Sequence, residues 1–157
     1  MDGDILTQNG LNVYKITSYD KMFELITMGR IDAFFRGVNE VETEWDIRHS
    51  QFPTLRIEPC IAFYYPLPRF FITNKNNKLN AQRILTGLQL AYEDGSFIEL
   101  WEEFFLDSIK LVGLHNRQII ELNNPFISEI DTSYQKYNVD LTEYLEKQPE
   151  IEEPSEK

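Results

Sequence analysis

The stretch from Leu11 to Phe35 limits the possible folds more than any other part of the chain. "LNVYKI" (11–16) is β-branched at Val13 and Ile16 and reads as a short strand. Ser18 is a good N-cap, and Tyr19, Met22, Phe23 and Ile26 follow at helical spacing. Gly29 is placed to end that helix as a C′ residue. "IDAFF" (31–35) reads as a second strand. Strand, helix and strand with short joins form a βαβ unit. That order predicts parallel pairing of 11–16 with 31–35 and a right-handed crossover. The expected fold class is therefore α/β.

The flanking segments extend this pattern. Residues 4–9 read as the end of a helix stopped by Gly10, and Val38 to Ile47 as a helix with Val38, Val41 and Trp45 on one face. Residues 55–65 and 69–74 read as extended. Pro59 cannot donate to a ladder, so the first of these is an edge or a crossing segment. Ala81, Ile84, Leu85, Leu88 and Ala91 predict one helix. Ser96 and Glu99 predict a capping box for the next, with Phe97, Leu100, Trp101, Phe104 and Phe105 along its inner face. "QIIEL" (118–122) reads as a short strand. The folded domain is expected to span 1–128. Residues 129–157 read as an acidic tail: from Leu141 onward, six glutamates face two lysines, too little apolar surface to offset the entropy of ordering.

Composition narrows the function classes. A net charge of −11 argues against nucleic acid or an anionic membrane surface as partner. No apolar run approaches the ~20 residues that span a bilayer. "MDGDILTQNG" has neither a basic region nor an apolar core of the secretory type, so a start at Met1 predicts the cytoplasm. Cys60 stands alone, which precludes an internal disulfide, and its apolar surroundings predict a small buried thiol. His49 and His115 lack Cys or His partners at ligand spacing and read as surface or capping residues; no metal or cofactor is expected.

Arg36 is the residue that a core strand does not need. It sits at the carboxyl end of 31–35, just before Gly37 and a helix opened by Asn39 and Glu40. Ligands in open α/β sheets bind beyond the carboxyl ends of strands. Arg36, Gly37, Asn39 and Glu40 are therefore the candidate ligand-binding residues. The competing reading is a surface ion pair between Arg36 and Glu40. Glu40 and Glu44 share one helical face, as a paired acid/base site would, although an exposed acidic face has the same spacing.

Three pieces in order give a family resemblance: strand, helix and "GRIDAF"; then "YYPLPRFFITNKNNKLNAQRI"; then "GLQLAYEDGSFIELWEEFF". Together they cover about residues 10–106 and resemble the type 2 periplasmic solute-binding proteins, the extracellular solute-binding family that serves ABC transporters. The resemblance implies a periplasmic-binding-protein-like lobe with parallel strands and C-terminal helices, and a truncated first lobe. It implies a fragment, a truncated gene product or a degenerate member.

It also implies non-catalytic binding of a small solute, a transporter permease as partner of a full-length protein, a periplasmic location, and self-association where the first lobe is missing. Gly37 stands where amino-acid-binding relatives carry an aspartate for the ligand's amino group, so an anionic or other polar solute suits Arg36 better. The same fold hosts dehydratases of cyclic acids and sensor modules, which are the alternatives; Glu40 is the only acid/base candidate.

Overall fold

The computed structural model describes residues 1–146. The helices are α1 (Asp2–Gln8), α2 (Tyr19–Thr27), α3 (Val38–Arg48), α4 (Lys78–Glu93), α5 (Ser96–Leu111) and α6 (Leu141–Glu146). Two strands, β1 (Ile61–Tyr64) and β2 (Gln118–Glu121), pair in parallel with Ile61 opposite Gln118 and Tyr64 opposite Glu121. The described chain is thus a mixed α and β structure with a small parallel sheet.

Local sequence explains most helix ends. Gly10 (φ 87°) and Gly29 (φ 64°) occupy left-handed positions just past α1 and α2, where a side chain would be strained. Ser18 is the N-cap of α2, although its side chain makes no cap hydrogen bond. At α5 the expected capping box does not form, and the N-cap makes no side-chain cap hydrogen bond. Gly95 is the N-cap, and Asp94 Oδ1 accepts from the Ser96 amide and hydroxyl. Those two hydrogen bonds hold the Asp94 pKa below its ordinary value.

The parallel ladder lies elsewhere than expected. Neither 11–16 nor 31–35 is a strand; the pairing joins 61–64 to 118–121 across α4 and α5. Lys15 pairs with Asp4 of α1, an exposed contact that contributes little. Phe34 packs edge-on against Phe23 of α2, with ring centroids 5.1 Å apart. Phe35 meets Phe63 of β1 at 4.7 Å. Segment 31–35 is fixed by its aromatics rather than by a backbone ladder. β1 begins two residues past Pro59, as the missing donor there requires.

Ile109, Val112 and Leu114 form a buried cluster at the carboxyl end of α5. Val38 and Val41 of α3, Ala62 of β1, Trp101 and Phe105 of α5, and Leu141 of α6 pack on it. Ser108, also buried, donates to Glu42 Oε2 of α3 at 2.8 Å. Arg117 ties the sheet to this centre: its Nε donates to the Val112 carbonyl and its Nη1 to the Ile61 carbonyl. A separate aromatic group surrounds Phe23, with Tyr19, Phe34 and Phe52 within 6 Å between centroids.

The inner face of α5 is narrower than its apolar stripe. Trp101 and Phe105 face the core, but Leu100 and Phe104 are 54% and 66% exposed. The helical period places 101, 105, 108, 109 and 112 inward, which turns 100 and 104 toward solvent. Cys60, expected to be buried, is exposed, because it lies in the bend ahead of β1 rather than within a covered strand.

The boundary expected near 128 falls within continuous structure. A 3-10 turn (Thr132–Tyr137) brings the Tyr137 ring edge-on to Tyr92 of α4. In α6, Leu141 joins the core, the Tyr144 ring packs edge-on against Trp101, and its hydroxyl donates to Glu102 Oε1 at 2.8 Å. An acidic composition is compatible with docking here because Leu141 and Tyr144 supply apolar and aromatic contacts. The remainder of the expected tail, 147–157, lies outside the described residues.

Two tests follow from this packing. Trp101→Ala is expected to cost about 3 kcal/mol in denaturant unfolding, whereas Leu100→Ala and Phe104→Ala stay within about 0.5 kcal/mol. Equal losses at all three positions would contradict the inward face.

Tyr144 provides the second test. Burial, followed by the hydrogen bond to Glu102 and that residue's charge, raises its pKa to about 12. A raised folded-state pKa means the contribution is complete below the unfolded value near 10. It is lost as pH rises through about 12. Absorbance titration should show a tyrosine ionising near pH 12 that is lost in Tyr144→Phe, and removal of residues from 141 onward should lower the melting temperature.

Candidate functional site

The four candidate residues meet at the start of α3. Gly37 is its N-cap (φ −63°, ψ 143°), a conformation open to any residue. Its amide donates to Glu40 Oε2 at 3.2 Å, so Glu40 reaches back over the first turn. Asn39 is exposed, and its Oδ1 lies where it would stand only 2.7 Å from a Cβ at Gly37. The absence of a side chain at 37 thus accommodates the Asn39 amide.

Arg36 is held tightly. Its Nε donates to both Glu44 carboxylate oxygens at 2.8 Å, and its Nη2 pairs with Glu44 Oε1 and with Glu40 Oε2 at 3.1 Å. Burial opposes the arginine charge, but the Glu44 hydrogen bond and the charges of Glu44 and Glu40 outweigh it, and the guanidinium pKa rises above its ordinary value. No hydrogen bond or ion pair with another described residue falls on Nη1.

Three further residues complete the site. Tyr19, the first residue of α2, has the guanidinium of Arg36 5.7 Å and that of Arg48 5.5 Å from its ring centroid. Burial, then its hydrogen bond to Glu44, raises the Tyr19 pKa. Arg48, at the end of α3, pairs with Asp20 and lies 5.0 Å from the Phe23 ring. Tyr65 approaches from the segment after β1. Burial, the charge of Asp2 with a hydrogen bond to it, and the charge of Glu40 raise its pKa.

Glu40, Glu44 and Arg48 are spaced i, i+4, i+8 on one face of α3, a signal readable in the sequence. Tyr19 and Tyr65 had no such signal, since their placement depends on how α2 and the segment after β1 cross α3.

The ion pairs alter what the site can hold. Arg36 and Arg48 are met by Glu40, Glu44 and Asp20, one more negative charge than positive. The expectation of an anionic group at Arg36 loses its electrostatic basis, because the arginine is already neutralised. A polar group that offers both a donor and an acceptor fits the half-exposed Glu40 and the Nη1 of Arg36 better.

Among the described residues, no group of three or more His, Cys, Asp or Glu side chains is placed to hold a metal ion, and no helix is long and apolar enough to cross a membrane. His49 is exposed, stacks on Trp45 and places Nδ1 2.6 Å from the Trp45 carbonyl oxygen. His115 is exposed in a 3-10 turn. A shallow hollow lined in part by Tyr92, Phe97, Asp140 and Tyr144 lies between α4, α5 and α6, and shares no residue with the Arg36 site.

No family model, curated protein or solved structure matches the chain.

Glu44 is the strut of this arrangement. Glu44→Gln should destabilise the fold by about 1–3 kcal/mol, because it leaves a partly buried arginine without its main counter-charge. Glu40→Gln, at a more exposed position, should cost well under that. Chemical denaturation of the two variants checks the order, and a larger loss at Glu40 would overturn it.

Proposed function

We propose that this chain recognises a small polar solute without catalysing a reaction on it, using the surface formed by Tyr19, Arg36, Gly37, Asn39 and Glu40. The observation that carries the reading is the posture of Arg36. It is anchored on one side by Glu44 and Glu40, lies by the Tyr19 ring, and among the described residues no hydrogen bond or ion pair falls on its Nη1. An anchored guanidinium is a pre-organised donor and loses little freedom on binding.

The partial resemblance to type 2 periplasmic solute-binding proteins supports the same reading. In that reading the chain represents a lobe of the binding component of an ABC transporter, and a transporter permease is its partner in a full-length protein. The small parallel sheet with helices around it is compatible with such a lobe.

The test is a titration of the chain with amino acids and neutral sugars, with dicarboxylates as the class expected to bind less well, followed by amide chemical shifts. A single open surface gives weak affinity, since small-molecule sites are normally concave and bury most of the ligand. Shifts should concentrate at residues 19 and 36–40. Arg36→Ala should weaken binding by about 1.5–3 kcal/mol, the range for hydrogen bonds to charged groups. Arg36→Lys should not restore it, since lysine cannot reproduce the fixed donor geometry. Shifts elsewhere, or an affinity indifferent to Arg36→Ala, would return this residue to a purely structural ion pair.

A further inference from the structure

Asn9 is the only asparagine of the chain that is followed by glycine, and its side chain bridges two distant segments. Nδ2 donates to the Asn123 carbonyl at 2.8 Å and to the Ile5 carbonyl at 2.9 Å. Oδ1 accepts from the Asn123 amide at 3.0 Å. Asn9 is the C-cap of α1, so the bridge ties the carboxyl end of that helix to the exit from β2. The next residue holds the far side of the bridge in place. Buried Asn124 donates to the Pro66 carbonyl and accepts from the Phe126 amide.

Asn-Gly is also a dipeptide in which the backbone can attack its own side chain. Bonding of the Gly10 nitrogen to Asn9 Cγ closes a five-membered ring, and glycine puts no Cβ in the way. In the closed structure three restraints oppose this. The Gly10 amide donates to the Thr7 carbonyl at 3.1 Å, so the nucleophile is engaged. The Asn9 ψ of 15° turns the Gly10 nitrogen toward the Asn9 nitrogen and away from Cβ and Cγ. The hydrogen bonds to Ile5 and Asn123 fix the amide that carries Cγ. All three restraints sit at the last turn of α1, so unwinding of that turn releases them together. Gly10 itself is exposed, with φ 87° and open space around it.

We propose that Asn9 is a site of self-modification, shielded while its bridge to Asn123 is closed and converted to an acid when the bridge opens. In the open state the Gly10 nitrogen bonds to Asn9 Cγ and the Cγ–Nδ2 bond breaks. Nδ2 leaves as ammonia, taking the proton that Gly10 gives up. Water then adds to one of the two ring carbonyls and breaks its bond to the ring nitrogen. Aspartate or its β-linked isomer results, with no change of oxidation state.

The product does not restore the bridge. An ionised carboxyl group only accepts, so the Ile5 and Asn123 carbonyls lose their donor and face a negative charge instead. The β-linked isomer also adds a methylene to the main chain just where Gly10 takes its left-handed turn. Conversion therefore releases α1 from the exit of β2 permanently, and the converted fraction records how long the chain has spent open.

The experiment is peptide mass mapping of the 157-residue chain held in mildly alkaline buffer, with and without denaturing urea. The amide-to-acid mass change at Asn9 is expected in urea. It should be about tenfold or more slower in native buffer, because the rate follows the open fraction. Isomerisation at Asp2-Gly3 and Asp94-Gly95 leaves the mass unaltered, so it does not interfere. Equal rates in the two buffers, or no conversion of Asn9 in urea, would overturn the proposal.

Asn9→Asp supplies the product directly. It should lower the melting temperature by about 2–6 °C. Asn12→Asp, which adds the same charge at an exposed residue nearby, should leave it nearly unchanged. An Asn9→Asp chain as stable as the parent would show that the bridge survives the change, and would overturn the proposal as well. The mass measurement is made on the unaltered sequence, so it decides the question even where Asn9→Asp does not fold.

Discussion

The carboxyl end of α5 is where the chain's distant parts are tied together. Ile109, Val112 and Leu114 are buried there, and α3, β1 and α6 reach them through Val38, Val41, Ala62 and Leu141. Burial of an aliphatic side chain of this size is worth about 1.5–3 kcal/mol. Few residues of the described chain achieve it. The small sheet would be marginal alone, since two short strands do not make an independently stable unit. It persists because Ala62 rests on this cluster and because Arg117 bonds both to the Val112 carbonyl and to the Ile61 carbonyl.

This concentration of the core accounts for the posture of the site. α3 is held from beneath by Val38 and Val41 and by the bond between Glu42 and Ser108. Its opposite side is then free to carry Glu40, Glu44 and Arg48 toward α2. Arg36 enters that row from the preceding segment, and Tyr19 closes it with one ring between two guanidinium groups. The order of Arg36 is thus inherited from contacts on the far side of the helix.

The sequence announced what local chemistry controls. Helix positions followed from apolar spacing, glycine stops and the Asp94–Gly95–Ser96 turn, and the strand at 118–121 from its β-branched run ahead of Asn123-Asn124-Pro125. The same reasoning misplaced the ladder, because 11–16 and 31–35 have strand composition but form no strand, and 31–35 packs its aromatics on Phe23 and Phe63. Pairing partners are non-local, and no local pattern names them. The four candidate residues fall together in the structure because they are nearly consecutive in the sequence. Their electrostatic state was not legible, since Glu44 and Tyr19 decide it. The tail misled for a related reason: average composition hid docking side chains, Leu141 and Tyr144 among them.

One pair of hydrogen bonds couples segments far apart in the described chain. Asn9 donates from its side chain to the Asn123 carbonyl at 2.8 Å and accepts from the Asn123 amide at 3.0 Å, joining the end of α1 to the exit from β2. During synthesis, α1 therefore leaves the ribosome long before its partner exists. At about 5–20 residues per second, the wait is on the order of ten seconds. The strand 61–64 also waits for 118–121, and α3 waits for the last turn of α5. Until the segment after α5 has emerged, α1, β1 and α3 all lack these partners, so the contacts that close the structure are supplied from the carboxyl side.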